Sequence, residues 1–518
     1  MALHWDEVDG VPVVWAQGQQ PLGATLMFRA GVRDESMATC GITHLIEHLA
    51  MSTLGRRRYD HNASVDLTFT DFTVSGRPAV VVDHLAEVCA GLRALPMERL
   101  ATEAKVLKAE NSPAADPVAL AHLRRRFGLR GLGIADVQPP ALGHLTEAQV
   151  SAFAERFFTR QNAVLALTGP PPDGLRLELP EGARQTPPAN PPLPLPTPMW
   201  FEHDDEGFGL SFDLDGEEPF AWEATQTGLR IALDRAQDEL RQRHGWLYHV
   251  DFDIFHTEER RTVVFTADPP TAHADDVRKG LTAILRDLHS TGPTDTELAE
   301  DLAAVQDYLS HPDSPNGEVG AAASSLLLNR QAISAEDRLR LREDVTAPDC
   351  SAALKRLEDT LLVGMPPETK PSDPDLHPEP QCSSTRVSGK PLRRTVSGLI
   401  QTPRRTRFVV GDDGLTLETP DGPQTILWHN VAGLTEDTEL EVITLVGVDA
   451  VMIPFAARWF RDGKKAMAQI DAQVDARLRF QPDDEEEPTR FDRWMASLEQ
   501  WVEKHDHKKA PANDRQGD

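Results

Sequence analysis

Two histidines and a glutamate in the segment 41–55, GITHLIEHLAMSTLG, have the types and spacing of a metal site. His44 and His48 are four residues apart, so both imidazoles lie on one face of a helix and can bind the same ion. Neutral imidazole nitrogens suit zinc. Glu47 lies near that face, where its carboxylate can accept a proton from water that a metal ion has acidified. The order His-x-x-Glu-His is the inverted arrangement of a zinc protease motif.

The alternative is an amphipathic helix that carries two histidines on its wet face. A zinc protease site needs three protein ligands and one open position. The helical stretch Glu98–Asn111, ERLATEAKVLKAEN, contains Glu103 and Glu110, which are seven residues apart and therefore face the same way two turns along. This second helix favours a metal site over the purely structural alternative.

Together, the two helices resemble the metal-binding region of the insulinase/pitrilysin family of inverted-zincin metallopeptidases. The flanking segments 28–36, FRAGVRDES, and Leu142–Gly169 also resemble the family. The resemblance implies an α+β fold with two tandem insulinase-type sandwich domains. It also implies that Glu110 is the third ligand of one Zn²⁺ per chain, and that Glu103 supports the ligands.

The chain departs from the family between His48 and Glu110, where the spacing is short. The helix and glycine turn that follow the metal helix in the family are reduced to RRRYDHNAS. The resemblance implies that a peptide substrate adds as a strand to the first sheet, at an edge strand placed at Val65–Ser75. The candidate substrate-binding residues are Asn62, Asp71 and Thr73, although the family's Asn-Ala-x-Thr pattern is not reproduced cleanly.

The second half of the chain repeats the pattern of strands and long helices without the metal motif. Its segment Leu240–Val250, LRQRHGWLYHV, resembles a family signature, which implies that Arg241 and Tyr248 reach the zinc site and stabilise the oxyanion of peptide hydrolysis. Alternatively, Tyr248 packs a strand and Arg241 lies on a wet helix face. The resemblance also implies that this pair acts on the zinc site of a partner subunit. With one metal half and one Arg/Tyr half per chain, the expectation is a homodimer, or a heterodimer with a related subunit, in which each subunit completes the other's site.

Linkers and changes of pattern divide the 518 residues into six predicted parts. They are a metal-binding peptidase domain (1–170), a proline-rich linker (171–199), a second insulinase-type domain (200–366), a polar linker (367–394), a small domain (395–475), and an acidic segment with a short helix and a disordered tail (476–518). The small domain has short strands followed by one helix, and with Trp428 and the pair Trp459–Phe460 it resembles a pleckstrin-homology-like domain of unspecified ligand.

Two groups of basic residues invite different interpretations. Arg124, Arg125 and Arg126 on a helix of the first half are expected to form a solvated face. A second group precedes and enters the small domain, where it can meet anionic lipid or an acidic partner, or can be merely solvated. This second basic cluster consists of Lys390, Arg393, Arg394, Arg404, Arg405 and Arg407.

Composition excludes several classes of function. A formal net charge of −29 disfavours nucleic acid as a partner, because phosphates would be repelled. The four cysteines have no paired spacing, which indicates reduced thiols rather than a disulfide framework. No apolar run is long enough to span a bilayer, and the polar, acidic N-terminal segment does not resemble a signal peptide. These features predict a cytoplasmic protein.

The sequence therefore predicts a zinc metallopeptidase that hydrolyses peptides or unfolded segments, with Glu47, Tyr248 and Arg241 as catalytic residues. Two alternatives remain open. One is a catalytically silent scaffold or partner subunit with the same fold. The other is a peptidase-like adaptor that the small C-terminal domain recruits to a membrane or a protein.

Overall fold

The computed structural model describes residues 2–110, 115–186, 190–216, 218–380, 382–402, 405–437 and 441–483. They form two compact units: one lies within Met1–Asp136 and Leu145–Pro380, the other within Val137–His144 and Gln381–Asp518. Among the described residues, the four cysteines form no disulfide. No helix in this part of the chain combines the length and apolar character needed to cross a membrane.

The first half of the larger unit is a six-stranded sheet with helices. Its strands are ordered β1-β2-β6-β3-β5-β4. A capping box formed by Thr146 and Gln149 starts the fifth helix. The elements are β1 (His4–Val8), β2 (Val11–Trp15), β3 (Leu22–Phe28), α1 (Ile42–Met51), β4 (Asp60–Val65), β5 (Thr70–Gly76), α2 (Pro78–Arg93), α3 (Leu100–Glu110), α4 (Pro117–Phe127), α5 (Glu147–Phe157) and β6 (Ala163–Leu167).

The second half is another six-stranded sheet, ordered β12-β7-β11-β8-β10-β9. Its elements are β7 (Met199–Glu202), β8 (Phe208–Asp215), α6 (Pro219–Ala236), β9 (Val250–His256), β10 (Arg260–Ala267), α7 (Ala274–Thr291), α8 (Asp295–Ser310), α9 (Ser314–Leu327), α10 (Ala335–Glu343), α11 (Ala347–Glu358), β11 (Leu362–Met365) and β12 (His377–Pro378). Helix α6 continues into a π-helical stretch at Gln237–Arg243.

The two sheets repeat one topology. The order β2-β6-β3-β5-β4 in the first half corresponds to β7-β11-β8-β10-β9 in the second, and in each only the first pair is parallel. In chain order, helix α1 follows β3 in the first half, and helix α6 follows the corresponding strand β8 in the second half. The halves differ at the sixth strand: β1 precedes its sheet in the chain, whereas β12 comes from the segment predicted as a polar linker.

Each half covers part of the other half's sheet with a helix. Helix α4 of the first half packs on β8, β10 and β11, and α9 of the second half packs on β2, β3 and β6. The α9 contact is apolar, with Val319, Ala323 and Leu327 against Val14 and Val164. Because each sheet buries apolar side chains under a helix from elsewhere in the chain, the two halves form one unit.

The expectation of a solvated face at Arg124–Arg126 is wrong for Arg126. Its side chain is buried on α4, where Nε donates to Ser211 Oγ at 2.9 Å and a terminal nitrogen donates to Thr360 O at 2.5 Å. Arg125 pairs with Glu379 at 2.6 Å. A run of charges looks solvated in sequence because nothing local reveals that a distant sheet covers the helix.

The described part of the proline-rich linker 171–199 packs on the first half of the larger unit and is not an extended spacer. Leu177 is fully buried, and its N–H donates to Asp9 Oδ2 at 2.8 Å. Further along, the Leu193 N–H donates to Arg126 O at 2.6 Å. Prolines disfavour regular secondary structure, but leucines of this segment such as Leu175, Leu177 and Leu179 are buried and add it to the core.

The predicted edge strand at Val65–Ser75 is displaced in the structure. Strand β5 begins at Thr70 and lies inside the sheet between β3 and β4, so the edge is β4, the segment DHNASV. The polar composition of β4 hid it, because only one of its six residues, Val65, has a strongly strand-favouring side chain.

The smaller unit contains two sheets, ordered β13-β14-β15 and β18-β17-β16-β19, over a shared core that includes Trp459 and Phe460. Strand β16 was missed in the sequence, because VAGLTED has a glycine and acidic residues and follows a turn. Most of the predicted part 476–518 lies outside the described residues. The elements are α12 (Val396–Gln401), β13 (Arg407–Val410), β14 (Gly414–Thr419), β15 (Gly422–Leu427), β16 (Val431–Asp437), β17 (Val442–Gly447), β18 (Met452–Phe455), α13 (Gly463–Gln473) and β19 (Arg479–Phe480).

The contact between α4 and the second sheet depends on a glycine. A β-carbon added at Gly209 would lie 2.8 Å from Val118 Cγ1 and closer still to His122 Nε2. We predict that Gly209→Ala lowers the free energy of unfolding by about 1–3 kcal/mol through overpacking. The measurement is chemical denaturation beside Gly320→Ala in α9, where a β-carbon meets nothing within 4 Å. Equal stability of the two variants would contradict this account of the interface.

Candidate active site

Helix α1 is placed by its apolar face. Leu45, Ile46 and Leu49 are fully buried, whereas His44 and His48 keep 30% and 16% of their side chains exposed. The 3.6-residue period therefore separates a core face from a face that carries both imidazoles. Burial of the apolar face fixes the rotation of the helix and directs both histidines to the same side.

Glu35 anchors the N-terminus of this helix from six residues upstream of it. One carboxylate oxygen accepts from the Gly41 N–H at 2.7 Å and the other from the Thr43 N–H at 2.9 Å. These bonds satisfy N–H groups that a helix start leaves unpaired. Complete burial nevertheless raises the pKa of Glu35 to about 7.

The loop that leads into α1 is also tied to the second half of the unit. Arg29 forms a buried pair with Asp34 at 2.6 Å, and Arg33 donates to Glu258 at 2.8 Å. Glu258 lies in the turn between β9 and β10. The loop that leads into α1 is therefore held by ion pairs from two parts of the unit.

The side chains on α1 and α3 converge on a small volume. His44 Nε2 lies 3.4 Å from Glu47 Oε2, and His48 Nε2 lies 3.2 Å from Glu110 Oε2. The donor atoms of His44, Glu47 and His48 all lie within 4.8 Å of one another, a group that could hold a metal ion. Glu110, which was predicted as the third ligand, joins this group through its contact with His48.

The donor set fits zinc. Ligands at about 2.0–2.1 Å from a tetrahedral ion lie roughly 3.3 Å apart, close to the 3.2 Å between His48 Nε2 and Glu110 Oε2. Burial, and then the nearby His48, lower the pKa of His44, so its imidazole is neutral and keeps a lone pair for a metal. Nitrogen and carboxylate oxygen are the ligands of hydrolytic zinc sites.

Glu103 supports the histidine side of this group. Its Oε2 lies 3.6 Å from His48 Nδ1, on the ring nitrogen opposite the one that faces Glu110. Its other oxygen accepts from Arg99, from Nε at 3.0 Å and from a terminal nitrogen at 2.5 Å. Glu103 is buried, so Arg99 offsets a carboxylate that would otherwise lie unpaired beside the imidazole.

Negative charge accumulates around Glu47. Burial raises the pKa of Glu47 to about 8, and Glu110, Asp71 and Glu103 add to that rise in this order. Four carboxyl groups thus lie around the imidazoles of His44 and His48. A divalent cation would relieve this repulsion, which is a second reason why the residues fit a metal.

The predicted substrate-binding residues lie on the two strands beside α1. Asn62 in β4 and Thr73 in β5 are register partners, and Thr73 Oγ1 donates to Asn62 O at 3.2 Å. Asp71 accepts from Ser64 Oγ at 3.1 Å, and it is near enough to Glu47 to raise its pKa. Asp71 therefore contributes to the negative charge around Glu47, whereas Asn62 lies on the edge strand β4 and Thr73 on its inner neighbour β5.

Arg241 and Tyr248 lie together in the second half. The Arg241 guanidinium carbon is 5.2 Å from the centre of the Tyr248 ring, and the tyrosine is 76% exposed. In the described residues, neither side chain has an ion pair or hydrogen bond to the metal group. The structure brings the predicted pair together, and their role at the site stays a prediction.

Sequence reasoning missed Arg99 and Glu35 as positioning residues. Arg99 had a usable signal, because it stands four residues before Glu103 on one helix face. Glu35 was part of a quoted motif, but its bonds to Gly41 and Thr43 cross a loop whose path only the structure reveals.

No protein-family model matches the chain, and no curated protein matches it either. Solved structures do. A peptidase M16 inactive domain from Pseudomonas fluorescens is 17% identical, with a TM-score of 0.60 over 72% of this chain and 100% of that one. A protease from Helicobacter pylori is 14% identical, with a TM-score of 0.61 over 70% of this chain and 99% of that one.

A putative M16-like peptidase from Alicyclobacillus acidocaldarius is 14% identical, with a TM-score of 0.53 over 70% of this chain and 98% of the other. The chain has the M16 peptidase fold. The M16 (insulinase) fold is the one that the sequence resemblance implied, and it carries the His44, Glu47 and His48 group of this chain. The comparisons give no support to the pleckstrin-homology-like assignment of the smaller unit.

The position of Glu103 behind His48 predicts an effect on metal affinity. We expect Glu103→Gln to weaken zinc binding by about 10–100-fold, because a partner that orients and polarises a ligating histidine is lost. Zinc dissociation constants measured by competition with a chelating dye test this. The matched control is Glu98→Gln, which removes an exposed carboxylate just before the same helix. Equal affinities for the two variants would show that Glu103 has no such role.

Proposed function

We propose that this protein is a zinc-dependent metallopeptidase. The observation that carries the proposal is the convergence of His44, His48, Glu47 and Glu110 on an M16 fold. In the proposed assignment, His44, His48 and Glu110 hold one Zn²⁺, which leaves Glu47 for proton transfer. A zinc ion held there would polarise the scissile carbonyl and lower the pKa of an attacking water.

Glu47 is the proposed general base. Its Oε2 lies 3.4 Å from His44 Nε2 and 3.9 Å from His48 Nε2, so its carboxylate is next to the place where both histidines point. A carboxylate in this position can accept a proton from the attacking water and return it to the leaving amine. Glu103 and Arg99 keep His48 oriented throughout.

The peptide is proposed to bind at the sheet edge beside α1. Strand β4 is an edge strand of its sheet among the described residues, so its outer N–H and C=O groups can pair with an extended chain. Asn62, Thr73 and Asp71 flank that edge and would contact substrate side chains. The acidic surroundings of Glu47 favour a basic side chain near the scissile bond.

Arg241 and Tyr248 are proposed to stabilise the oxyanion in a dimer. The Tyr248 ring is highly exposed and contacts the Arg241 guanidinium, so this pair is accessible to the active site of another chain. A phenol O–H and a guanidinium can both donate to a developing oxyanion. A homodimer, or a pair with a related subunit, would let one chain complete the site of the other.

The second candidate is a scaffold or partner subunit without activity. Two observations favour it: one of the similar structures is described as an inactive M16 domain, and Glu110 is 43% exposed at the last residue of α3. Recruitment of a peptidase half through the smaller unit is a variant of the same idea. Against both stands the presence of both histidines and of the candidate base.

The proposal is tested with Glu47→Gln. We expect this variant to keep its zinc and to lose peptide hydrolysis by about 10²–10⁴-fold, since the amide cannot accept the proton. Cleavage of a quenched fluorescent peptide library measures the activity, and elemental analysis measures the zinc.

Glu155→Gln on α5 is the matched control, because it makes the same chemical change at an exposed position away from the site. Its activity should equal that of the wild type. Full activity of Glu47→Gln would contradict the mechanism, and zinc-loaded wild type that cleaves nothing would favour the scaffold.

A further inference from the structure

Two large apolar side chains stand out on the smaller unit. Val396 is 77% exposed and Leu399 is 62% exposed, although both belong to helix α12. They are three residues apart and therefore lie on one side of the helix. An aliphatic pair this exposed on a short, ordered helix is unusual for a surface without a binding role.

The opposite side of α12 is fixed to the unit. The Thr395 N–H donates to Trp459 O at 2.8 Å, and Thr395 Oγ1 donates to Arg458 O at 2.8 Å. Gly398 lies directly on the Trp459 carbonyl, where any β-carbon would collide with it. The helix is thus held with its small residues inward, and Val396 and Leu399 are presented outward in a fixed orientation.

Basic side chains flank this helix on both sides in the chain. Lys390 and Arg393 precede it, Arg405 and Arg407 follow it, and all four are exposed. The Arg461 N–H donates to Arg393 O at 2.9 Å, which places a further exposed arginine beside the first group.

The structure also trims the predicted basic cluster. The Arg394 side chain turns inward to Thr406, Arg407 faces Glu418 across the strand pair, and Arg404 lies outside the described residues. Lys390, Arg393 and Arg405 form no ion pair with any described residue. In a chain of net charge −29, exposed positive charges thus flank in sequence an exposed aliphatic tip, formed by Val396 and Leu399.

We infer that this surface docks the protein on a membrane that contains anionic phospholipid. Cations around the tip would approach the headgroups, while Val396 and Leu399 would enter the boundary with the acyl chains. The residue types favour lipid over a protein partner, because hot spots of protein interfaces are enriched in tryptophan and tyrosine, whereas leucine and valine are under-represented there. Because α12 is already fixed to the smaller unit by these contacts, docking costs little conformational entropy.

The docking is expected to be weak and reversible. Each basic residue close to an anionic surface strengthens binding by about fivefold, and the effect falls off within a Debye length. The negative charge of the remaining chain opposes binding in any other orientation. Added salt should therefore release the protein, and neutral membranes should bind it poorly.

The test is co-sedimentation of the full-length protein with vesicles of phosphatidylcholine that contain phosphatidylserine, beside vesicles of phosphatidylcholine alone. We expect salt-sensitive binding to the anionic vesicles only. The double variant Val396→Ser/Leu399→Ser should weaken it by about tenfold or more. The triple variant Lys390→Gln/Arg393→Gln/Arg405→Gln should weaken it by about a hundredfold.

Two control variants make the same changes in the larger unit. Trp5→Ser replaces an exposed apolar side chain on β1, and Arg286→Gln/Lys355→Gln/Lys370→Gln removes three exposed positive charges. Both should bind like the wild type. All these positions are exposed, so folding is not expected to change, and circular dichroism checks this.

Three results would overturn the inference. The first is no sedimentation of wild type with anionic vesicles. The second is equal loss of binding in the control variants. The third is concentration-dependent self-association that Val396→Ser/Leu399→Ser abolishes while vesicle binding stays unchanged, which would identify the patch as a contact between two copies. None of these measurements depends on peptidase activity or on zinc.

Discussion

The surroundings of Glu47 are governed by an excess of carboxylate. Glu47, Glu103, Glu110 and Asp71 lie around the imidazoles of His44 and His48, and burial makes the mutual repulsion of these carboxylates costly. Much of the local structure holds this group in place. Glu35 fixes the start of α1, Arg99 offsets the charge of Glu103, and Glu258 reaches from the second half to Arg33. An arrangement that crowds like charges beside imidazole donors is what a divalent cation would stabilise, and this is the physical basis of the proposed zinc site.

The half without a metal motif is equally necessary to the fold. Helix α9 packs on the first sheet, which contains the strands next to α1. Helix α4 packs on the second sheet, where His122 and Arg126 form hydrogen bonds to β8. His122 Nδ1 and Arg126 both meet Ser211, a buried residue of β8. A duplicated topology in which each copy lends a helix to the other explains why the two halves form one compact unit. The second half carries the contacting pair Arg241 and Tyr248.

Local patterns predicted what local physics determines. The placement of His44, Glu47 and His48 on one helix follows from the helix period, and the repeated order of strands and helices follows from the alternation of sequence patterns. What the sequence did not reveal depends on contacts between distant residues. The burial of Arg126 comes from a sheet some eighty residues later, the polar strand β4 forms because β5 pairs with it, and Glu35 reaches α1 across a loop. Which face of α12 is exposed was also not predictable from the sequence, because the close contact between Gly398 and the Trp459 carbonyl determines it.

The most direct test of the central claim is the zinc content of the purified wild-type protein measured beside His48→Ala. The account predicts about one zinc per chain in the wild type and its loss in the variant, because removal of one imidazole leaves too few ligands. Absence of zinc from a folded wild type supplied with the metal, or full retention by His48→Ala, would contradict it. The M16 fold would then carry these histidines and carboxylates without a metal.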